Sequence, residues 1–274
     1  MPRREPFKFT SWIFLFFFLV AACQRTEVID LSEGRVDSGT LPITSWQIQY
    51  SGELDLDIEV DTFNLDLFDT PTEIIVELKK RGVFVICYFS AGSYEDWRPD
   101  AQKFPDDLLG HELEDWPGER WLDIRQIPAL SPIIENRMDL AVEKGCDGVD
   151  PDNLDGFENK TGFPLTGNDQ LVFNTYLAQA AHDRGLKIGL KNDLNQIQEL
   201  VDDFDWILNE ECFTYQECDQ LLPFLDANKP VFVIEYEIKP EKFCPQANQQ
   251  GFSALHKNWN LDAYFTDCLK FSSQ

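Results

Sequence analysis

Asp150, Asp152 and Asp155 fall within six positions of one another in "GVDPDNLDGF", residues 148–157. Carboxylates that close raise one another's proton affinity, so their spacing calls for a bound cation, a sugar or proton transfer. An EF-hand calcium loop begun at Asp150 fails at its later positions. The fifth is Leu154 rather than an oxygen ligand, the sixth is Asp155 where glycine is needed, and the twelfth is Thr161 rather than glutamate. Calcium geometries other than that loop stay open. His111, His182 and His256 are too scattered for a histidine zinc site, and no metal or cofactor is expected.

Glycoside hydrolysis accounts for the carboxylates better, because it needs two acids on opposite sides of the scissile bond, held at different proton affinities. Polar residues close the apolar runs of this chain: Tyr50, Asp66, Tyr88, Asp150 with Asp152, Lys191 with Asn192, Glu210, and Glu235 with Tyr236. Side chains alternate along a strand, so Asp150 and Asp152 point the same way. Pro151 cannot donate a ladder hydrogen bond and reads as the place where pairing ends, which puts Asp152 at the rim. Glu210 ends a run two strands further on. Lys191, on the run between, can hold one carboxylate ionised while less polar surroundings keep the other protonated. With Glu210 facing in, Glu211 is expected to face out.

The elements that must position these residues are β-rich apolar runs alternating with helical patterns. Eight runs read as strands: "WQIQY" (46–50), "IEVDTFNLDLF" (58–68), "VFVICYF" (83–89), "CDGVD" (146–150), "LKIGLKN" (186–192), "DWILNE" (205–210), "PVFVIEY" (230–236) and "GFSALHKNW" (251–259). "PTEIIVELKKRG" opens on proline and closes on glycine, and "NDQLVFNTYLAQAAHDRG" also closes on glycine, as helices do. This alternation predicts an α/β fold, the (β/α)₈ TIM barrel, whose catalytic groups gather at the C-terminal ends of the strands. A doubly wound sheet is the competitor, but no glycine-rich phosphate loop follows the first strand. The insertion at 90–127, rich in tryptophan and acid, is expected to wall the cleft, with Trp97 a candidate sugar platform.

Length and composition suit one large domain: 274 residues, 43% hydrophobic and 13% aromatic. The net charge of −26 disfavours nucleic acid and anionic lipid and favours a cationic partner. Arg3, Arg4 and Lys8 precede "WIFLFFFLVAA", a run too short to span a bilayer, so residues 1–22 read as a signal peptide. "LVAAC" resembles a bacterial lipobox. Cys23 is then the lipidated residue, 23–42 a lipidated N-terminus and flexible tether, and 43–274 the catalytic domain. Attachment to the bacterial cell envelope through that lipid alone, at the outer membrane or the extracytoplasmic face, is the expected localisation. Six cysteines remain after Cys23, an even number for an oxidising compartment. Cys212 with Cys218 and Cys244 with Cys268 are the expected pairs, while Cys87 and Cys146 read equally well as buried thiols.

"CYFSAGSYEDWRPDA", "ERWLDIR", "GVDPDNLDGF", "GLKND", "NEECFTYQEC" and "VFVIEY" together resemble glycoside hydrolase family 114, the endo-α-1,4-polygalactosaminidases. The likeness runs from about Trp46 to Cys268. It implies a (β/α)₈ barrel that cleaves galactosamine-containing polysaccharide, with the aspartate of "PDN" and the glutamate of "NEEC" catalytic, here Asp152 and Glu210; a monomer is expected. A partly deacetylated, cationic galactosamine polymer fits the acidic composition. Tyr50, Asp66, Tyr88, Asp150, Asn153, Asp155, Lys191, Asn192, Glu235 and Tyr236 are then the candidate substrate-binding residues. A surface lipoprotein that binds polysaccharide without cutting it, and a hydrolase of the same fold acting on another glycan, are the alternatives.

Overall fold

The computed structural model describes residues 44–271. The expected signal peptide, Cys23 and tether lie outside the described residues. In chain order the elements are β1 (Trp46–Gln49), β2 (Thr62–Asp66), α1 (Thr72–Lys80), β3 (Phe84–Ser90), β4 (Ser93–Glu95), β5 (Leu109–Glu112), β6 (Glu119–Leu122), α2 (Ile127–Lys144), β7 (Gly148–Asp152) and α3 (Gly167–His182). They continue with β8 (Lys187–Lys191), α4 (Ile197–Leu200), β9 (Trp206–Glu210), α5 (Cys212–Tyr215), α6 (Leu222–Asp226), β10 (Val231–Glu235), α7 (Pro240–Gln250), β11 (Ser253–Lys257) and β12 (Phe265–Asp267).

Each of the eight expected runs forms a strand, and these eight pair in parallel in the order β1, β2, β3, β7, β8, β9, β10, β11, with β12 added antiparallel to β11. This is a (β/α)₈ barrel. Side chains link the two ends of the sheet: Trp46 Nε1 donates to the Ser253 carbonyl at 2.9 Å, and Lys257 Nζ to Gln47 Oε1 at 2.9 Å. Two apolar layers follow from strand alternation. One fills the barrel, with Trp46, Ile48, Ile86, Trp206, Leu208, Phe232, Ile234 and Leu255. The other lies between sheet and helices and holds residues such as Phe63, Val149, Phe173 and Val233.

Trp206 dictates two glycines in that interior. A Cβ on Gly189 would stand 2.0 Å from the indole Nε1, and one on Gly148 would stand 2.7 Å from the indole edge. The ring thus occupies the volume that neighbouring strands leave empty.

Pro151 does not end its strand, contrary to the sequence reading. Pairing with β3 runs through Phe89↔Pro151 to Ser90↔Asp152, whereas pairing with β8 stops at Val149. The Asp152 carbonyl accepts the N–H groups of Ala91 and Gly92, both at 3.0 Å. The 90–127 insertion is likewise not a bare loop: β4, β6 and β5 form a small antiparallel sheet.

Disulfides join Cys212 to Cys218, Cys244 to Cys268, and Cys87 to Cys146. The last settles a question that burial alone left open. It ties β3 to the turn before β7 across 59 positions, a constraint worth on the order of 4 kcal/mol by chain entropy.

Candidate active site

A cavity of about 590 Å³ opens at the C-terminal ends of the barrel strands, a size suited to a bound small molecule or sugar unit. Its centre is an ion triad. Lys191, the last residue of β8, lies 3.1 Å from Asp152 Oδ1 at the end of β7 and 3.1 Å from Glu210 Oε2 at the end of β9. Burial would lower the lysine's proton affinity, but Asp152, Glu210 and Asp150 reverse that and hold it well above the ordinary range. The ammonium therefore stays charged between the two carboxylates.

Two left-handed residues fix the carboxylates. Asn153 (φ 62°) donates its backbone N–H to Asp152 Oδ1 at 2.8 Å, and its amide reaches Ser90, Ser93 and Glu119, each at 3.0 Å. Asn192 (φ 53°) accepts the Glu210 backbone N–H at 3.0 Å and directs its own amide at Glu210 Oε2, 3.4 Å away. Asparagine tolerates this backbone region better than most residues.

Tyrosines complete the frame. Tyr88 donates to Asp152 Oδ2 at 3.2 Å, and Tyr236 donates to Glu210 Oε1. Burial, and then the carboxylates nearby, hold both phenols well above their ordinary range, so they remain donors. Tyr50 packs on Tyr88 with centroids 4.3 Å apart and donates to Asn64. Trp259 stacks on Tyr236 at 4.1 Å, and Trp97, Trp116 and Trp259 are each about half exposed along the cavity wall.

Of the residues expected to bind substrate, Tyr50, Tyr88, Asn153, Asp155, Lys191, Asn192 and Tyr236 line the cavity. Asp66 also lines it, but its oxygens are committed to Arg98 at 2.8 and 3.0 Å and to the backbone N–H groups of Phe68 and Asp69. Two expectations are corrected. Asp150 shares the inward face with Asp152 but sits two residues deeper, about 7 Å down the strand, where it accepts from Asn64 at 2.8 Å and is not part of the cavity lining. Burial pushes its carboxyl up to about 7, with Lys191 and Asn64 opposing. Glu235 faces away from the cavity: it accepts the Phe213 N–H and the Thr214 hydroxyl, both at 2.7 Å, and anchors α5.

Glu211 lines the cavity, which alternation argued against, because its left-handed backbone (φ 66°) breaks the strand's parity. The insertion adds Glu95, Arg98, Trp116 and Glu119, which sequence reasoning did not single out. Its tryptophan and acid content marked the segment, but long-range register chooses which of its side chains turn inward. Among the described residues no group of three or more His, Cys, Asp or Glu side chains is arranged to hold a metal ion.

Two carboxylates held by one cation at the floor of an aromatic-walled cavity can protonate a leaving oxygen and attack the carbon it departs from. Comparison with known proteins identifies the enzyme class. The family model of glycoside-hydrolase family GH114 matches residues 31–272. The crystal structure of Aspergillus fumigatus Ega3 in complex with galactosamine is 41% identical, covers 84% of this chain and 98% of its own, and superposes with a TM-score of 0.80. The glycoside hydrolase domain of PelA from Pseudomonas aeruginosa, at 17% identity, covers 81% and 97% with a TM-score of 0.63, which speaks to the fold alone. A search of curated proteins gave no match.

Proposed function

The chain belongs to glycoside hydrolase family 114 and is a glycoside hydrolase, and on that premise we propose that it cleaves α-1,4-linked galactosamine polysaccharide internally, by double displacement at Asp152. The Lys191 bridge carries this reading. Two legs of 3.1 Å cannot place the bridged oxygens of Asp152 and Glu210 further apart than 6.2 Å. That bound on the two facing oxygens admits the roughly 5–5.5 Å carboxyl separation of retaining enzymes, and the shared lysine, which draws the pair together, favours it over the roughly 6.5–9.5 Å of inverting ones.

Asp152, with donors from a backbone N–H, Tyr88 and Lys191, is the nucleophile. It attacks the anomeric carbon while Glu210 gives its proton to the glycosidic oxygen, and the leaving chain departs with its new hydroxyl. Glu210, now ionised, takes a proton from water, which attacks the same carbon and frees Asp152. Both inversions together return the α configuration. Lys191, 3.1 Å from each carboxylate, balances the negative charge that passes between them as the proton moves.

The substrate assignment is supported by the galactosamine complex of the similar Ega3 structure and by a net charge of −26. Internal cleavage is supported by exposed tryptophans spread along the wall, which give platforms to sugars on both sides of the cut. The test is a reducing-end assay on deacetylated α-1,4-galactosamine polymer, with product sizing and NMR of the first anomer formed. Oligosaccharides with α ends at early times support the reading, and no release, or β ends, would overturn it.

A further inference from the structure

Lys257, the last residue of β11, is a buried cation that the reaction above does not use. It is 1% exposed and has no carboxylate within salt-bridge distance among the described residues. Burial pushes the ammonium down to about 7, with Asp262 opposing. Its Nζ donates to Gln47 Oε1 at 2.9 Å and to the Asp262 carbonyl at 2.7 Å, and lies 6.0 Å from the centroid of the Phe265 ring. An apolar side chain would fill this seam between β11 and β1 without the cost of burying a charge. What the ammonium adds is a grip on the loop that follows.

That loop, 258–264, is held at several points and reaches the acid side of the cavity. Gln47 helps to seat it, its amide donating to the Ala263 carbonyl at 3.1 Å. Leu261 has a left-handed backbone (φ 48°), which a bulky residue adopts only where its surroundings impose it. Its N–H donates to the Asn258 carbonyl at 2.9 Å, and its own carbonyl accepts the Tyr50 and Ser51 N–H groups at 2.9 and 3.3 Å. The same turn lays Trp259 on Tyr236 with the ring planes 16° apart, and the indole Nε1 donates to Glu237 at 2.8 Å. Tyr236 in turn donates to Glu210. Resting on the reading of Glu210 as the acid, we propose that Lys257 is a positioning residue for proton transfer: it seats the loop whose Trp259 keeps the Tyr236 hydroxyl on Glu210. Asp152 takes its donors from Asn153, Tyr88 and Lys191, none of which hydrogen-bonds to this loop among the described residues. The effect therefore falls on the acid and spares the nucleophile.

Lys257→Met tests this, since the side chain still fills the seam but can no longer donate. On the galactosamine polymer, whose leaving oxygen needs the proton, kcat should fall about tenfold, as a modest misplacement in a reacting geometry does. On an aryl galactosaminide, which leaves unprotonated, the first-step rate should fall by less than about twofold. In a Tyr236→Phe background the same substitution should cost nothing further, because the two act through one hydrogen bond. A lysine that only closed the barrel would slow both substrates alike. Equal losses on the two substrates, an unchanged kcat on the polymer, or a further loss in the Tyr236→Phe background would overturn the assignment. Trp259→Ala changes a half-exposed side chain and leaves the buried seam alone, so it gives the same readout even if Lys257→Met does not fold. A fall in kcat confined to the polymer supports the proposal, and an equal or absent fall overturns it. Wild-type protein inactive on galactosamine polymer would instead sink the activity proposed above. Active wild type, with a loss that depends on the leaving group in Glu210→Gln but not in Lys257→Met, would sink only this inference.

Discussion

Gly92 lies hard against Asn153: a Cβ at position 92 would stand 1.7 Å from the Asn153 carbonyl oxygen. The obstructing atom is backbone, so it cannot swing aside as a side chain would. Gly92→Ala is therefore expected to shift Asn153 and with it the N–H that Asp152 accepts at 2.8 Å. Turnover should fall about a hundredfold, as small misplacements in a reacting geometry do, and the melting temperature should drop. Wild-type kinetics in a folded Gly92→Ala protein would show that Asp152 does not depend on this contact.

Asp152→Asn and Glu210→Gln should each lower kcat by a thousandfold or more while leaving affinity largely intact, since each removes a group that acts in the transition state. The two are separable. An aryl galactosaminide leaves without protonation, so Glu210→Gln should recover much of its first-step rate on it and Asp152→Asn should not. Recovery in Asp152→Asn instead would reverse the assigned roles.

Lys191→Met removes the cation between the pair. The pair then loses the charge that balances it and the contacts that set its spacing, so kcat should fall by about a hundredfold or more. The protein should also be less stable, because two partly buried carboxylates lose their partner. Turnover close to wild type in a folded Lys191→Met protein would argue that Lys191 takes no part in the catalytic arrangement.

Cleavage of the cationic polymer should weaken as sodium chloride rises from about 0.05 to 0.5 M, chiefly through KM, because screening reduces the attraction of a chain carrying −26. A neutral, fully acetylated polymer should show little salt response. The same response from both would assign the acidity to solubility rather than to substrate capture.

Asp193, buried in the loop after β8, keeps its proton up to about pH 8, chiefly through burial, with Asp155 and Glu158 adding to it. An unfolded aspartate releases its proton near pH 4. The folded chain thus binds the extra proton between those values, so this contribution to stability is whole below about pH 4 and is lost as pH rises through 8. Asp193→Asn should flatten the fall in melting temperature between pH 5 and pH 8. An unchanged difference between those two pH values would show that Asp193 titrates normally.

Local pattern alone determined a good deal. Apolar runs separated by proline and glycine marked all eight barrel strands, and the polar residues closing them put Asp152, Lys191 and Glu210 at one end of the barrel. Alternation fixes parity within a strand, which is why Asp150 and Asp152 do share a face.

Depth, register and the folding back of the insertion were decided only in three dimensions. Asp150 has the right parity but lies below the cavity, because a barrel interior is packed in layers and only the top one meets the opening. Glu211 gains access through one left-handed backbone angle, which no periodicity encodes. Glu119 reaches Asn153 from 34 positions away through the pairing of β6 with β4, and Cys87 meets Cys146 across 59. Such contacts depend on how strands sit beside one another. That is set by packing and hydrogen bonding over the whole sheet, not by any stretch of sequence short enough to read on its own.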